Sequence, residues 1–163
     1  MTTFTLNDIA AYEITFIPVS DTLRFRYVFA SDEYPEFACS SFNDVFGFFI
    51  TGPNPNGGDY TAENIALIPD PADPSGFTFT PDPVTINNVN NQGFNPVGGC
   101  NFDYGIYYND NSNSNTLQYD GYLEAFTAQA IVIPCETYTI KLAIADAGAV
   151  SYTHLTLPTI CSV

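Results

Sequence analysis

Short stretches in which apolar and polar side chains alternate constrain the fold of this sequence more than any other feature. The pattern is clearest where Leu23, Phe25 and Tyr27 alternate with Arg24 and Arg26. A period of two places successive side chains on opposite faces of a β-strand. No stretch of useful length has a helical period, so the sequence predicts an all-β protein.

Turn residues separate the alternating stretches, with 12 Pro and 11 Gly in the chain. This arrangement predicts an antiparallel β-sandwich or jelly roll with long loops rich in Asn, Pro and Gly. The cations Arg24, Arg26 and Lys141 are expected on outer faces, opposite cross-strand carboxylates. Strands are predicted at 11–19, 23–29, 44–51, 63–69, 77–80, 84–89 and 137–145, and in the second half of 119–133. The predicted buried faces consist of Tyr12, Ile14, Phe16, Leu23, Phe25, Tyr27, Phe29, Phe46, Phe48, Ile50, Ile140, Leu142 and Ile144.

The charge balance excludes several classes of partner. The chain carries 18 acidic and 3 basic side chains, a formal charge of −15. Nucleic-acid binding and a polybasic membrane anchor both need clustered Lys and Arg, which are missing. Membrane insertion is not expected, because the apolar runs are shorter than the ~18 residues that a span needs. With 45% hydrophobic residues the chain has enough apolar surface for a core, and its composition is typical of an extracellular, loop-rich β protein.

Both ends of the sequence suggest a fragment of a longer protein. The first residues have neither the basic nor the apolar region of a signal peptide. The run VSYTHLTLPT, which begins at residue 150, resembles a translated sequencing adaptor. We therefore predict one β-sandwich domain at 1–149 and a non-native tail at 150–163, although a genuine final strand is the alternative. In the first case His154 and Cys161 have no part in the natural chemistry.

Five ordered motifs resemble a known family. They are TLRFRYVFASDEYPEF at 22–37, FNDVFGFFI at 42–50, ENIAL at 63–67, QYDG at 118–121 and TYTIKLAIADAG at 137–148. In this order they resemble the choice-of-anchor L domain family. The resemblance implies a module of large secreted or surface proteins of bacteria, joined to other modules of the same polypeptide and without known catalytic activity. Members usually continue at both ends, so the resemblance also implies the loss of an edge strand at each end here.

An acidic group of side chains in and near the loop at 31–44 predicts a Ca²⁺ site. Ca²⁺ takes roughly 6–8 oxygen ligands from carboxylates, amides, backbone carbonyls and water. Two strongly apolar strands flank this loop, and the last predicted strand ends in a carboxylate that could reach the same end of the fold. The candidate ligands are Asp32, Glu33, Glu36, Asn43, Asp44 and Asp146. The alternative is that these side chains cap turns, face solvent, or pair with Arg24 or Arg26.

Paired carboxylates also suit glycoside hydrolysis when they lie ~5–9.5 Å apart. The candidate pairs join Asp32 or Glu33 to Asp44 or Asp120. With 18 carboxylates such pairs arise easily by chance, and no histidine precedes the tail. The sequence has no nucleophile elbow and no phosphate-binding loop. We therefore predict no enzyme and no catalytic residues, and a carbohydrate-active enzyme domain is the alternative.

A second candidate site is aromatic. Tyr104, Tyr107, Tyr108 and Asn109 are predicted to bind a glycan, because tyrosine rings stack on sugars and amides bond their hydroxyls. The alternative is that these are strand residues that face the core.

The cysteines indicate an oxidising compartment. Three precede the tail, namely Cys39, Cys100 and Cys135, and no C-x-x-C pair is present. We predict a Cys100–Cys135 disulfide, with Cys39 free or paired outside this sequence.

Together these features predict a non-catalytic module at the cell surface or outside the cell. Its predicted role is adhesion, through binding of a glycan or a surface protein, and Ca²⁺ is the candidate cofactor.

Overall fold

The computed structural model describes residues 6–91, 103–113 and 117–147. About half of these residues lie in antiparallel β-strands, and the other regular element among them is one 3₁₀ turn at Gly105–Tyr107. The predicted all-β class is therefore confirmed. The strands are β1 (Leu6–Phe16), β2 (Thr22–Tyr27), β3 (Ala30–Ser31), β4 (Val45–Pro53), β5 (Asp59–Asn64), β6 (Leu67–Pro69), β7 (Phe79–Pro83), β8 (Tyr108–Asp110), β9 (Gly121–Leu123), β10 (Phe126–Ile131) and β11 (Tyr138–Ala147).

One layer of the sandwich is a four-stranded sheet in the order β1–β11–β4–β5. All its pairs are antiparallel. In its register Lys141 of β11 lies opposite Glu13 of β1 on one side and Phe49 of β4 on the other. Lys141 is exposed on the outer face, as the alternation predicts.

The other layer is built from shorter pieces. β2 pairs with β10, β3 and β8 both pair with β9, and β6 pairs with β7. The amide of Leu123 donates to the carbonyl of Phe29, 2.9 Å away, so the β2–β10 pairing leads directly into the β3–β9 pairing. The loop at 31–44 therefore begins at a strand that is held in this layer.

Aromatic rings join the two layers. The Tyr27 ring of β2 lies 4.9 Å from Phe46 and 5.2 Å from Phe48, which are both on β4. It also meets Phe126 of β10 edge-on at 6.1 Å. Tilted and edge-on pairs of this kind add stability beyond the area that they bury. The predicted core faces are buried or partly buried except at Tyr12, which is 60% exposed because β1 is an edge strand.

Two predicted strands differ from the structure. The segment 84–89 makes one isolated bridge, between Thr85 and Val45, and then turns, with the amide of Val89 donating to the carbonyl of Thr85. Its apolar side chains are buried in the core, and this buried turn therefore has the same apolar composition as a strand. The predicted strand at 63–69 is split at Ile65 into the end of β5 and all of β6. The predicted tail at 150–163 lies outside the described residues.

Candidate metal centre

Three carboxylates converge inside one end of the sandwich. They belong to Glu33, Asp44 and Asp146, and one oxygen of each lies within 4.8 Å of the others. The side chains are 4%, 1% and 0% exposed, respectively. Since charged groups are rarely buried without a partner, this cluster calls for a physical explanation.

Strand pairing accounts for two of the three positions. Ala145 of β11 is the register partner of Val45 of β4. The next residue along β11 is Asp146, and the residue before Val45 is Asp44, so antiparallel pairing sets these two carboxylates side by side. Glu33 arrives from the turn that follows β3, where its carbonyl accepts a hydrogen bond from the amide of Phe37 at 3.0 Å.

Ser31 fixes the orientation of the centre. Its hydroxyl donates to Oδ2 of Asp44 at 2.8 Å and accepts from the amide of Glu33 at 3.0 Å. The other oxygen of Asp44, Oδ1, has no hydrogen-bond partner, and neither has Oε2 of Glu33, although both atoms are buried. Leaving a buried charged oxygen without a partner typically costs more than the ~1–3 kcal/mol of a neutral group.

The pKa values of Glu33 and Asp44 also indicate that charged carboxylates are unfavourable at this place. Burial raises the pKa of Glu33 to about 8, and the charges of Asp44 and Asp146 raise it further. Burial also raises the pKa of Asp44 to about 6; the Ser31 hydrogen bond lowers this pKa, whereas Asp146 and Asp32 raise it. No Lys or Arg side chain is among the groups that act on either pKa. The fold therefore brings three carboxylates together, and either protons or a cation would relieve the repulsion between their charges.

The donor set fits a hard divalent cation. Within the part of the chain that the structure describes, all the ligand atoms of the cluster are carboxylate oxygens, the type that Ca²⁺ prefers, and none is a thiol or an imidazole. Roughly 6–8 oxygens surround a bound Ca²⁺, so these carboxylates would supply the charged part of the shell.

The other predicted ligands lie outside this cluster. Asp32 and Glu36 are exposed. Oδ1 of Asn43 accepts a hydrogen bond from the amide of Asn87 at 3.1 Å, and the amide of Asn43 donates to the carbonyl of Ala147 at 2.9 Å. Asn43 thus ties the loop to its neighbours, and the structure brings together only Glu33, Asp44 and Asp146 of the predicted set.

A turn braces the loop at 31–44 from the side. Oδ1 of Asn87 accepts from the amide of Cys39 at 2.6 Å, and Nδ2 of Asn87 donates to the carbonyl of Ser40 at 3.1 Å. The Tyr34 hydroxyl donates to the carbonyl of Val89 at 2.7 Å. The position of the loop therefore depends on contacts with residues far away in the sequence.

The predicted tyrosine site has a packing role in the structure. Tyr108 is buried and lies 4.8 Å from the Tyr34 ring. Tyr107 meets Phe126 edge-on at 5.1 Å and donates to the carbonyl of Pro69. The Tyr104 hydroxyl donates to Asp82 at 2.6 Å, and the Asn109 amide donates to Glu124 at 3.1 Å. Their binding of a glycan stays a prediction.

The predicted Cys100–Cys135 disulfide is wrong. Cys135 is a free, exposed thiol in the turn before β11. Its amide donates to the carbonyl of Pro18 at 2.9 Å, which fixes the turn at the surface. The buried Cys39 is disulfide-bonded instead. Cys100 lies outside the described residues.

Ser31 is the residue of this centre that the sequence prediction missed. A serine two residues before an amide that needs an acceptor is a common turn motif, and Ser31 precedes Glu33 by that spacing. This local signal could have marked Ser31, but only the tertiary contact reveals that its hydroxyl reaches Asp44.

The comparisons with known proteins identify a family. The family model of the choice-of-anchor L domain matches residues 1–155. No curated protein and no solved structure matches the chain. Among the described residues no helix has the length and apolar character needed to cross a membrane.

Proposed function

Since the chain belongs to the choice-of-anchor L domain family, we propose that it is a non-catalytic surface module stabilised by Ca²⁺ at Glu33, Asp44 and Asp146. The family is one of secreted or surface modules and is not a known enzyme family. Beyond the family membership, we propose the bound Ca²⁺, the adhesive role and the binding partner.

One observation carries the calcium proposal. Oε2 of Glu33 and Oδ1 of Asp44 are buried without a hydrogen-bond partner, in a cluster that also includes Asp146. A bound dication would supply the missing partner to both atoms and offset the repulsion between the carboxylates. A formal charge of −15 on the chain favours the uptake of a cation for the same reason.

The ion would act as a clamp between the loop and the sheet. Glu33 and Asp44 belong to the loop at 31–44, Asp44 at its end just before β4, and Asp146 lies in β11. Binding only to the folded state stabilises it by mass action, by about 2.7 kcal/mol when the ion exceeds its Kd about a hundredfold. The clamp therefore holds the loop against the sheet.

The burial of the carboxylate cluster argues against the alternative of a carbohydrate-active enzyme. A glycosidase needs its carboxylates on either side of a sugar in an open cleft. Glu33 and Asp44 are 4% and 1% exposed, so a sugar ring has no access to them. Buried oxygen ligands are typical of a structural cation site.

Adhesion is the role that we assign to the module outside the cell. Loops held rigidly by a β scaffold commonly carry recognition groups. A glycan or a surface protein is the proposed partner, presented in cooperation with other modules of the same polypeptide.

Thermal unfolding tests the calcium proposal. The melting temperature of the metal-free protein should rise by roughly 5–10 °C when Ca²⁺ is added at about a hundredfold excess over Kd. Asp44→Asn should lose this rise, yet melt no lower than wild type without metal, because it removes a buried charge.

Glu36→Gln is the matched control, since it neutralises an exposed carboxylate in the same loop. It should keep the full response to Ca²⁺. An equal response in Asp44→Asn and wild type, or no response in wild type, would overturn the proposal.

A further inference from the structure

A groove crosses the outer face of the four-stranded sheet, on the side away from the core. Its volume is about 360 Å³. It is lined by Glu13, Phe49, Thr51, Ala62, Thr139, Lys141 and Ala143. We propose that this groove binds a neutral oligosaccharide, which deepens the proposed function by naming where the module recognises a glycan.

Phe49 is the central feature of the groove. It lies on the outer face of an inner strand of the sheet, where a polar side chain is usual. A Cβ atom added at Gly47 would lie only 2.7 Å from Cε2 and Cζ of Phe49. The ring therefore leans along β4 over Gly47 instead of projecting from the sheet. An aromatic ring laid along an open surface can stack on the C–H face of a sugar.

Hydrogen-bonding groups of both kinds surround the ring. Lys141 is the register partner of Phe49 and supplies donors, while Glu13 is the register partner of Lys141 and supplies acceptors. Thr51 and Thr139 are register partners in the next row. The Thr51 hydroxyl accepts from the amide of Ala62 at 3.1 Å and keeps its own proton to donate, and the Thr139 hydroxyl shares a hydrogen bond with Thr15 at 3.2 Å and keeps a further lone pair. A sugar hydroxyl also donates and accepts, so this set matches a carbohydrate.

The charge distribution favours a neutral ligand. Within the groove Glu13 and Lys141 balance one another, whereas the whole chain carries −15. An acidic polysaccharide would approach against that field. A peptide strand could not pair with β11 or β4, which lie at the centre of the groove, because both strands are already paired on both edges. A neutral sugar chain needs neither a free strand edge nor an excess of positive charge.

Amide chemical shifts in an NMR titration test the proposal, with cellohexaose and chitohexaose as neutral probes and a galacturonic acid hexamer as the acidic comparison. The protein is kept saturated with Ca²⁺. At least one neutral hexamer should shift the amides of Thr51, Thr139 and Lys141 in a saturable way. Phe49→Ala should weaken that binding about tenfold or more, equivalent to ~1.4 kcal/mol.

Phe77→Ala is the matched control, because Phe77 is 49% exposed but lies against Arg24 of the other layer. It should bind the sugar as wild type does. Lys141→Gln keeps a hydrogen-bonding side chain and should weaken binding without unfolding the protein, which guards against a misfolded Phe49→Ala.

Three results would overturn the proposal that the groove binds a neutral oligosaccharide. They are no shifts with either neutral hexamer, shifts confined to other surfaces, or undiminished affinity in Phe49→Ala. Tighter binding of the acidic hexamer would contradict the charge argument. Because the carboxylate cluster is not part of the groove, failure here with an intact calcium response would leave the calcium proposal standing.

Discussion

Glu33 and Asp44 face one another as buried carboxylates, and their protonation links this centre to pH. Their ordinary pKa values are 4.5 and 3.8, and folding raises them to about 8 and about 6. A folded state with the higher pKa binds the proton more tightly than the unfolded chain. The stabilisation from these protons is therefore complete below the unfolded pKa values and is lost as the pH rises through the folded ones.

The metal-free protein should accordingly be less stable at pH 8 than at pH 5. Urea unfolding in a chelator at the two pH values measures the difference. Glu33→Gln should weaken this pH dependence of stability, because glutamine has no titrating proton. In the wild-type protein, Ca²⁺ should restore stability at pH 8 by binding the ionised carboxylates. Greater stability of the metal-free protein at pH 8 would contradict the assignment of these two pKa shifts.

Gly121 is a residue whose small size the fold requires. A Cβ atom at this position would lie 2.6 Å from Cβ of Tyr34 and 2.7 Å from Cε2 of Tyr108. Gly121→Ala should therefore push apart the tilted Tyr34–Tyr108 ring pair and destabilise the protein by about 1–3 kcal/mol, as overpacking typically does. Gly57→Ala is an informative comparison at an open turn, because nothing lies within 4 Å of its added Cβ, although its φ of +106° carries a backbone strain of its own. Denaturant midpoints measure both, and an unchanged midpoint in Gly121→Ala would contradict this packing.

At the scale of elements, the loop at 31–44 depends on the sheet that it crosses. Asn43 bonds the end of β11, and Asn87 bonds Cys39 and Ser40 in the middle of the loop. Without the ion, these neutral bonds have to hold the loop against the repulsion between Glu33, Asp44 and Asp146.

Hydrogen exchange should therefore report calcium binding at the loop. The amides of Glu33, Cys39 and Asn43 should exchange about a hundredfold more slowly when Ca²⁺ exceeds its Kd about a hundredfold, if the loop opens only after the ion leaves. The amide of Asn54, in the turn between β4 and β5, should be unaffected. Equal protection of the loop with and without Ca²⁺ would contradict the clamp while leaving binding itself intact.

The sequence reveals the strands better than the loops, for a physical reason. Alternation specifies the buried face of β2, β4 and β11, because side-chain direction in a strand follows position. In a loop no such rule holds, so the sequence could not separate Glu33 from its exposed neighbours Asp32 and Glu36. Asp146 could be proposed from the sequence because it comes directly after the predicted strand at 137–145. The buried turn at 84–89 and the packed tyrosines were ambiguous, since apolar composition reports burial without direction.

At the scale of the whole molecule, neither Arg24 nor Lys141 belongs to the buried carboxylate cluster. Arg24 donates to Gln129 at 2.8 Å and lies over the Phe77 ring, and Lys141 lies on the outer face of β11. No Lys or Arg side chain is among the groups that act on the pKa of Glu33 or Asp44. A module with a charge of −15 that buries three carboxylates close together is suited to surroundings that supply a divalent cation.

Anomalous diffraction from crystals grown with Ca²⁺ tests the central claim most directly. We expect one strong peak between Glu33, Asp44 and Asp146, at roughly 2.3–2.6 Å from an oxygen of each. Asp44→Asn crystals grown in the same way should lack the peak. A wild-type map with no peak at this position, in which the carboxylates share protons or bond to water, would contradict the account.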